Sequence, residues 1–223
     1  MFKDFEERFS PKSIDDIVYE NIRIHQLIKD LIIGARPFPM TEGKCGILLY
    51  GLPGTGKSAL AKLLPDAIEK ARGGSQACEM YVRVQTGSNG MKTIGNMSQR
   101  AHFYPNGEYH YFVLDEVDRL TVDAMGILKS VMNLPRTIFV LTTNNFSCIE
   151  AGVKDRCHCI PFNAAPAANW IPLANRILSH AGVSGITDEQ LISIIGPCNG
   201  SARQITDIIT DLALNVHRAH NVR

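Results

Sequence analysis

An apolar strand that runs directly into a glycine-rich turn and then a helix constrains this chain more than any other stretch. Gly46-Ile47-Leu48-Leu49-Tyr50 is apolar on both faces, and Gly51-Leu52-Pro53-Gly54-Thr55-Gly56-Lys57-Ser58 follows at once, with a helical run starting at Lys57. A strand hidden on both faces belongs inside a sheet covered by helices on both sides, and such sheets are parallel. Further β-type runs at 80–84, 111–114, 137–141 and, more weakly, 158–162 alternate with helical stretches. The expected class is therefore α/β, a five-stranded parallel sheet sandwiched by helices.

Beyond Ala164-Ala165-Pro166 the strand pattern stops, and three helical segments follow near 167–181, 188–195 and 201–217. Thr187 with Gln190 three residues later is a capping-box pattern for the middle one. These helices predict a small all-helical domain, giving expected domains of 1–164 and 165–223. Upstream, 21–33 reads as an amphipathic helix with apolar Ile22, Leu27, Ile28, Leu31 and Ile32, stopped by Gly34 and followed by a loop with Pro37 and Pro39. Pro65 is expected to kink the helix after the glycine turn.

With 223 residues, 45% hydrophobic and 20% charged, the chain has material for one α/β domain and a small satellite, which excludes both wholesale disorder and a large multidomain assembly. Lys plus Arg total 23 against 22 Asp plus Glu, so net charge singles out no partner. The six cysteines contain no CxxC, the N-terminus has no apolar signal-peptide core, and no apolar stretch approaches the ~18–20 residues that span a bilayer. Reduced thiols, a cytoplasmic location and no membrane segment are expected. Cys157-His158-Cys159 reads as buried strand cysteines rather than a zinc site, because no second ligand pair stands at metal spacing.

The turn fits G-x-x-x-x-G-K-[ST] in its mechanistic context. Glycines at 51, 54 and 56 let backbone N–H groups face phosphate oxygens, the helix N-terminus adds positive dipole, Lys57 reaches the β/γ-phosphates and Ser58 ligates Mg²⁺. The expected nucleotide-binding set is Gly51, Pro53, Gly54, Thr55, Gly56, Lys57, Ser58 and Ala59. Phe112-Val113-Leu114-Asp115-Glu116 is a strand ending in two carboxylates: Asp115 for the magnesium shell, Glu116 to polarise an attacking water. Phe103, Tyr104, Tyr109, Tyr111 and Phe112 around Pro105-Asn106-Gly107 read as hairpin-like packing beside that strand.

Together these motifs resemble the AAA+ ATPase family, and within it the replication clamp-loader branch of the replication factor C small-subunit kind. Phe5-Glu6-Glu7-Arg8-Phe9-Ser10-Pro11-Lys12-Ser13-Ile14-Asp15-Asp16-Ile17-Val18 is similar to the segment that branch places before its phosphate loop to close over the adenine, with Val18 and Tyr19 lining the base pocket. Asp115-Glu116-Val117-Asp118-Arg119-Leu120, then Leu128 and Met132, continue the likeness, which covers about residues 5–217. It implies strand order 5-1-4-3-2, a three-helix lid, and ATP with Mg²⁺ bound between the two parts. Asn144 falls at the sensor-1 position, with Asn145 the alternative one residue on; either would hydrogen-bond the attacking water or γ-phosphate, and an asparagine at a strand end also starts a turn.

Arg156 matches the Ser-Arg-Cys arginine that enters a neighbouring subunit's nucleotide site, with Asp155 standing where that motif has serine; the other reading is a surface ion pair. Arg203 matches the sensor-2 arginine at the start of the last lid helix, which Ser201 caps. The resemblance implies neighbouring subunits in a homo- or hetero-oligomer, DNA, and a sliding clamp or another replication or recombination protein as partners. Lys92, Arg100 and Ser88 are the candidates for DNA phosphate, against a solvated loop and helix. Such subunits carry a helical collar after the lid, which a chain ending at Arg223 is expected to lack. Two other functions stay open: a helicase-loader or transposition-type ATPase regulator, and a nucleotide-gated scaffold with little turnover.

Overall fold

The computed structural model describes residues 8–40 and 43–221; Phe5, Glu6 and Glu7 of the N-terminal segment lie outside them. Five parallel strands, β1 (Gly46–Tyr50), β2 (Cys78–Arg83), β3 (His110–Asp115), β4 (Thr137–Thr143) and β5 (Cys157–Pro161), form one sheet in the order β2-β3-β4-β1-β5. Read from the other edge, this is the 5-1-4-3-2 order the resemblance implies. The three central strands carry the apolar runs, and β3 and β4 are buried along their whole length. Edge strand β2 instead alternates half-buried and exposed residues and begins two residues earlier than its apolar run suggests, because only one of its faces meets the core.

The chain divides into two compact units, each discontinuous in sequence. One comprises Ile22–Gly51 and Lys57–Phe162; the other comprises the described residues of Met1–Asn21 and Asn163–Arg223 together with Leu52–Gly56. In the sheet unit the helices are α1 (Ile22–Ile32), α2 (Lys57–Ala71), α3 (Met91–Ala101), α4 (Val122–Val131) and α5 (Ala151–Asp155). The face α1 buries is Ile24, Ile28, Leu31 and Ile32, while Ile22 is 74% exposed. The i, i+4, i+7 spacing from Ile24 explains the difference, since Ile22 falls outside that stripe. Gly34 follows with φ +75, as a helix stop requires. Helix α2 continues through Pro65, which is buried; the missing N–H leaves the Ala61 carbonyl without its usual partner but does not end the helix. Leu48, Phe112, Leu128 and Phe139 anchor the core on one side of the sheet.

No hairpin forms around Pro105-Asn106-Gly107. Parallel β2 and β3 need a crossover, which α3 supplies, and the aromatic residues divide. Tyr109 and Tyr111 pack edge to face, Phe112 tilts on Phe139, and Phe103 and Tyr104 stand exposed with Arg136 over the Tyr104 ring.

The second unit is built on α6 (Ile171–His180), α7 (Asp188–Ile195) and α8 (Ala202–Asn221). The expected capping box is present: Gln190 N–H donates to Thr187 Oγ1 at 3.3 Å, and Thr187 N–H to Gln190 Oε1 at 2.9 Å. Trp170, Ile177, Leu191, Ile205 and Ile209 form its core, and Phe9 from the N-terminal stretch enters the same core, edge-on to His180. Asn169 Nδ2 donates to the Tyr19 and Glu20 carbonyls at 2.8 and 3.2 Å, and Arg176 pairs with Asp16 at 3.5 Å. The N-terminal stretch is thus strapped to α6 and the turn just before it by one aromatic ring and several polar contacts. No helix among the described residues is long and apolar enough to cross a membrane.

Burial of Phe9 dominates that strap, so Phe9→Ala should destabilise the helical unit by about 3 kcal/mol and raise amide exchange across α6. Unchanged exchange in α6 would show that the helices close their core without it.

Candidate functional site

One buried carboxylate at the carboxyl end of β3 gathers donors from α2, β4 and β2. Asp115, 4% exposed at the end of β3, accepts from Ser58 Oγ at 2.7 Å and from Thr142 Oγ1 through Oδ1, and from Tyr81 O–H at 3.0 Å through Oδ2. Burial pushes its pKa up, but the Thr142, Ser58 and Tyr81 hydroxyls and the Arg83 charge outweigh that and hold it below 3.8. The carboxylate is therefore ionised at neutral pH, beside a hydroxyl from the first turn of α2.

Lys57, 6% exposed, donates to the Gly51 carbonyl at 2.9 Å, which folds the side chain back across the turn. Burial lowers its pKa to about 8, against the raising influence of Asp115 and Asp118. A buried, easily deprotonated ammonium gains from an incoming anion. The turn itself demands glycine at two points on separate grounds. Gly51 has φ +146, and a Cβ there would meet the Phe162 carbonyl oxygen at 2.6 Å. Gly54 has φ +81, and a Cβ there would meet Ser201 Oγ at 2.8 Å. The Gly54 carbonyl accepts from the Ala202 N–H at 2.8 Å, which bonds the tip of the turn to the start of α8 within the helical unit. Thr55 is buried and its hydroxyl donates to Leu52 O; Pro53 is exposed and Ala59 half-buried.

Glu116 occupies the left-handed region, φ 62 and ψ 47, a conformation that costs a non-glycine residue about 1–2 kcal/mol. Its N–H donates to Thr142 Oγ1 at 3.0 Å, which helps hold it there. Arg83 donates to Oε1 at 2.7 Å; Arg119 Nε lies 2.7 Å from Oε2 without hydrogen-bond alignment, so that oxygen is paired by charge alone. Two arginines thus hold the carboxylate expected to polarise water.

The two asparagines after β4 differ in their commitments. Asn145 accepts from Ser147 Oγ at 2.6 Å and its N–H donates to Thr143 Oγ1 at 2.9 Å, so it builds the turn. Asn144 is exposed at the strand end, and its side chain makes no hydrogen bond among the described residues. Arg156 follows α5 and donates to Asn133 Oδ1 and to the Gly152 carbonyl, both at 2.8 Å. It makes no ion pair with Asp155 among the described residues. Its carbonyl accepts from the Cys45 and Gly46 N–H groups, placing it at the amino edge of β1, the whole five-residue strand away from the glycine turn, about 13 Å at ~3.3 Å per residue.

In the helical unit Arg203 is exposed on the first turn of α8, next to the residue that bonds Gly54, and Ser201 Oγ accepts from Gln204 N–H at 3.5 Å, a long cap. Val18 is half-buried against the helical core, and Tyr19 is buried with its hydroxyl donating to Ile14 O at 3.0 Å. Of the phosphate candidates, Lys92 is exposed on the first turn of α3, and Ser88, in the turn before α3, donates to Gln85 O at 3.4 Å. Arg100 lies about 12 Å away at the other end of the helix, its guanidinium turned onto Cys78, so Lys92 and Arg100 do not form one phosphate site.

Tyr81, Arg83, Arg119 and Thr142 touch the two carboxylates and were not among the expected site residues. Thr142 and Thr143 carried a signal, being polar positions at the end of an otherwise apolar strand; Thr143 Oγ1 donates to Asp118 at 2.7 Å. Tyr81 and Arg83 reach the site only through the pairing of Arg83 with Asp115 across β2 and β3.

The profile of the ATPase family associated with various cellular activities (AAA) matches residues 47–162. Among curated proteins the chain is 26% identical to replication factor C small subunit 2 of Pyrobaculum islandicum over 202 residues, covering 89% of this chain and 60% of that protein. It is also 26% identical to replication factor C subunit 4 of Encephalitozoon cuniculi over 205 residues, 91% of this chain and 62% of that one. The chain thus spans about three fifths of these relatives. Among solved structures, the Thermotoga maritima RuvB Holliday junction branch migration motor superposes with a TM-score of 0.68 at 17% identity, over 96% of this chain and 67% of that one. That likeness establishes the fold.

Tyr81→Phe removes one donor from an ionised, buried acceptor, so stability at pH 7 should fall by about 1 kcal/mol. The depressed pKa of Asp115 contributes stability above pH 3.8 and loses it as pH falls through the folded value, so the deficit should shrink on acidification. Denaturant titrations at pH 7 and at acid pH check both; equal stabilities at pH 7 would remove Tyr81 from the site.

Proposed function

The chain belongs to the ATPase family associated with various cellular activities (AAA), and on that premise we propose that it binds ATP and hydrolyses it as one subunit of an oligomer. The observation that carries the reading is the 2.7 Å contact of Ser58 Oγ with Asp115 Oδ1 beside buried Lys57. A hydroxyl and an ionised carboxylate in contact are the hard oxygen donors that suit magnesium. Ser58 and Asp115 would hold Mg²⁺, which when bound neutralises phosphate charge. Lys57 exchanges the Gly51 carbonyl for phosphate oxygens, and the N–H groups of 51–59 line the phosphates. Val18 and Tyr19 offer ring and backbone contacts to the base.

Glu116 accepts a proton from the attacking water once Arg83 and Arg119 release it. Asn144, uncommitted at the end of β4, orients that water or the γ-phosphate. Arg156 is too far along β1 to serve its own glycine turn, which supports service to a neighbouring subunit, where its fork would stabilise the transferring phosphoryl. Arg203 stands one residue from the Ala202–Gly54 bond, which supports a role in reading the γ-phosphate and passing nucleotide state to the helices. The macromolecule moved is proposed from the relatives' names and the family likeness: DNA, with a DNA-bound replication protein such as a sliding clamp, and Lys92 as the basic residue presented by α3.

The double capture of Glu116 favours a second reading, a nucleotide-gated scaffold that turns ATP over little. Glu116→Gln separates the two: a hydrolase keeps ATP binding and loses turnover by ~10²-fold or more, whereas a scaffold's trace activity barely changes. Failure of wild-type protein to bind ATP would overturn both.

The depressed pKa of Lys57 sets a pH dependence. Free protein sheds this proton near pH 8, phosphate stabilises the protonated form, and binding therefore takes up a proton between about 8 and the ordinary 10.5. ATP affinity should fall by up to about tenfold per unit as pH rises above 8. Calorimetry in two buffers of different ionisation enthalpy measures the uptake, and affinity flat through that window would contradict a direct phosphate contact by Lys57.

A further inference from the structure

At the amino end of edge strand β2, remote from the carboxylates, three side chains converge on one sulfur. Cys78 is half-buried and free, and its cross-strand partner in the β2–β3 register is His110. Cys78 Sγ lies 3.8 Å from His110 Nδ1, and Arg100 donates to the same sulfur at 3.3 Å. His110 is 3% exposed and its Nε2 lies 2.8 Å from the Phe103 carbonyl, which can only accept. In the neutral ring the hydrogen therefore sits on Nε2 and Nδ1 is bare, facing the thiol. A nucleophile, a base within reach and a third group that fixes the base's tautomer is the arrangement that activates a nucleophile, and the Arg100 N–H donates to the same sulfur.

We propose that Cys78 is a modification site for hydroperoxides. Nδ1 of His110 takes the thiol proton, and the thiolate, held against Arg100, attacks the terminal oxygen of the hydroperoxide. The S–O bond forms as the O–O bond breaks, and the departing alkoxide or hydroxide takes the proton from His110. Sulfur is oxidised to sulfenic acid, and the hydroperoxide is reduced to an alcohol or water. None of the groups that hold Asp115 or Glu116 takes part, so the site stands apart from the nucleotide reading.

Cys148 supplies an internal control, being exposed and without a polar side-chain partner among the described residues. If access alone decides, Cys148 reacts first. Native protein is treated with limiting iodoacetamide at pH 7 and the labelled fraction at each cysteine is read by peptide mass spectrometry. Cys78 should react roughly tenfold faster than Cys148, and hydrogen peroxide followed by dimedone should leave its adduct at Cys78. Arg100→Gln, a change at a half-buried position, should slow Cys78 about fivefold and leave Cys148 unchanged. Cys148 labelled as fast as Cys78, a dimedone adduct confined to Cys148, or an Arg100→Gln rate at Cys78 equal to wild type would each overturn the proposal.

Discussion

A single carboxylate out of water needs several partners, and the partners of Asp115 come from different elements. Ser58 brings the start of α2, Thr142 the end of β4 and Tyr81 the middle of β2, so the loss of any one donor leaves a charged oxygen under-satisfied where water does not replace it. The register of three strands and the angle at which α2 leaves its turn are tied to this one group. Thr142 extends the connection by one residue, because the oxygen that donates to Asp115 also accepts from the Glu116 N–H and so steadies the left-handed backbone there.

That geometry keeps two kinds of acid apart. Asp115 is satisfied by neutral hydroxyls, which leave its charge available to a cation. Glu116 is satisfied by arginines, which neutralise it. Adjacent residues of the same chemistry therefore differ in kind: Asp115 keeps its charge under hydroxyl donors, and Glu116 is counter-charged by Arg83 and Arg119.

Much of the fold was legible because its signals are local. The doubly apolar run at Gly46–Tyr50, the glycine turn and the Thr187–Gln190 box each declare themselves within a few residues, and the sheet order follows the family likeness. The motif residues Lys57, Ser58, Asp115 and Glu116 were legible for the same reason, and the structure brings all four to one end of the sheet unit. Tyr81 and Arg83 were hidden because their places depend on pairing with β3, some thirty residues on. Ile22 is apolar yet lies outside the buried stripe of α1, because apolar character alone does not say which stripe turns inward. Arg100 looked like a phosphate ligand from its charge, yet a helix of eleven residues carries it to the far end, onto a sulfur.

The strap formed by Phe9, Asp16 and the Tyr19–Glu20 carbonyls has a consequence for how the chain is made. Its partners on α6 and in the turn just before it are encoded about 150 residues later, as the Asn169 to Tyr19 separation shows. On the ribosome residues 9–20 emerge well before residues 169–180, which carry these partners. The intervening sheet can close beforehand, because its strands and this core cluster lie within 45–161. Contacts of such long sequence separation are formed late and at a high loop-closure cost. Until α6 is made, the ring of Phe9 lacks the apolar core that buries it in the folded chain.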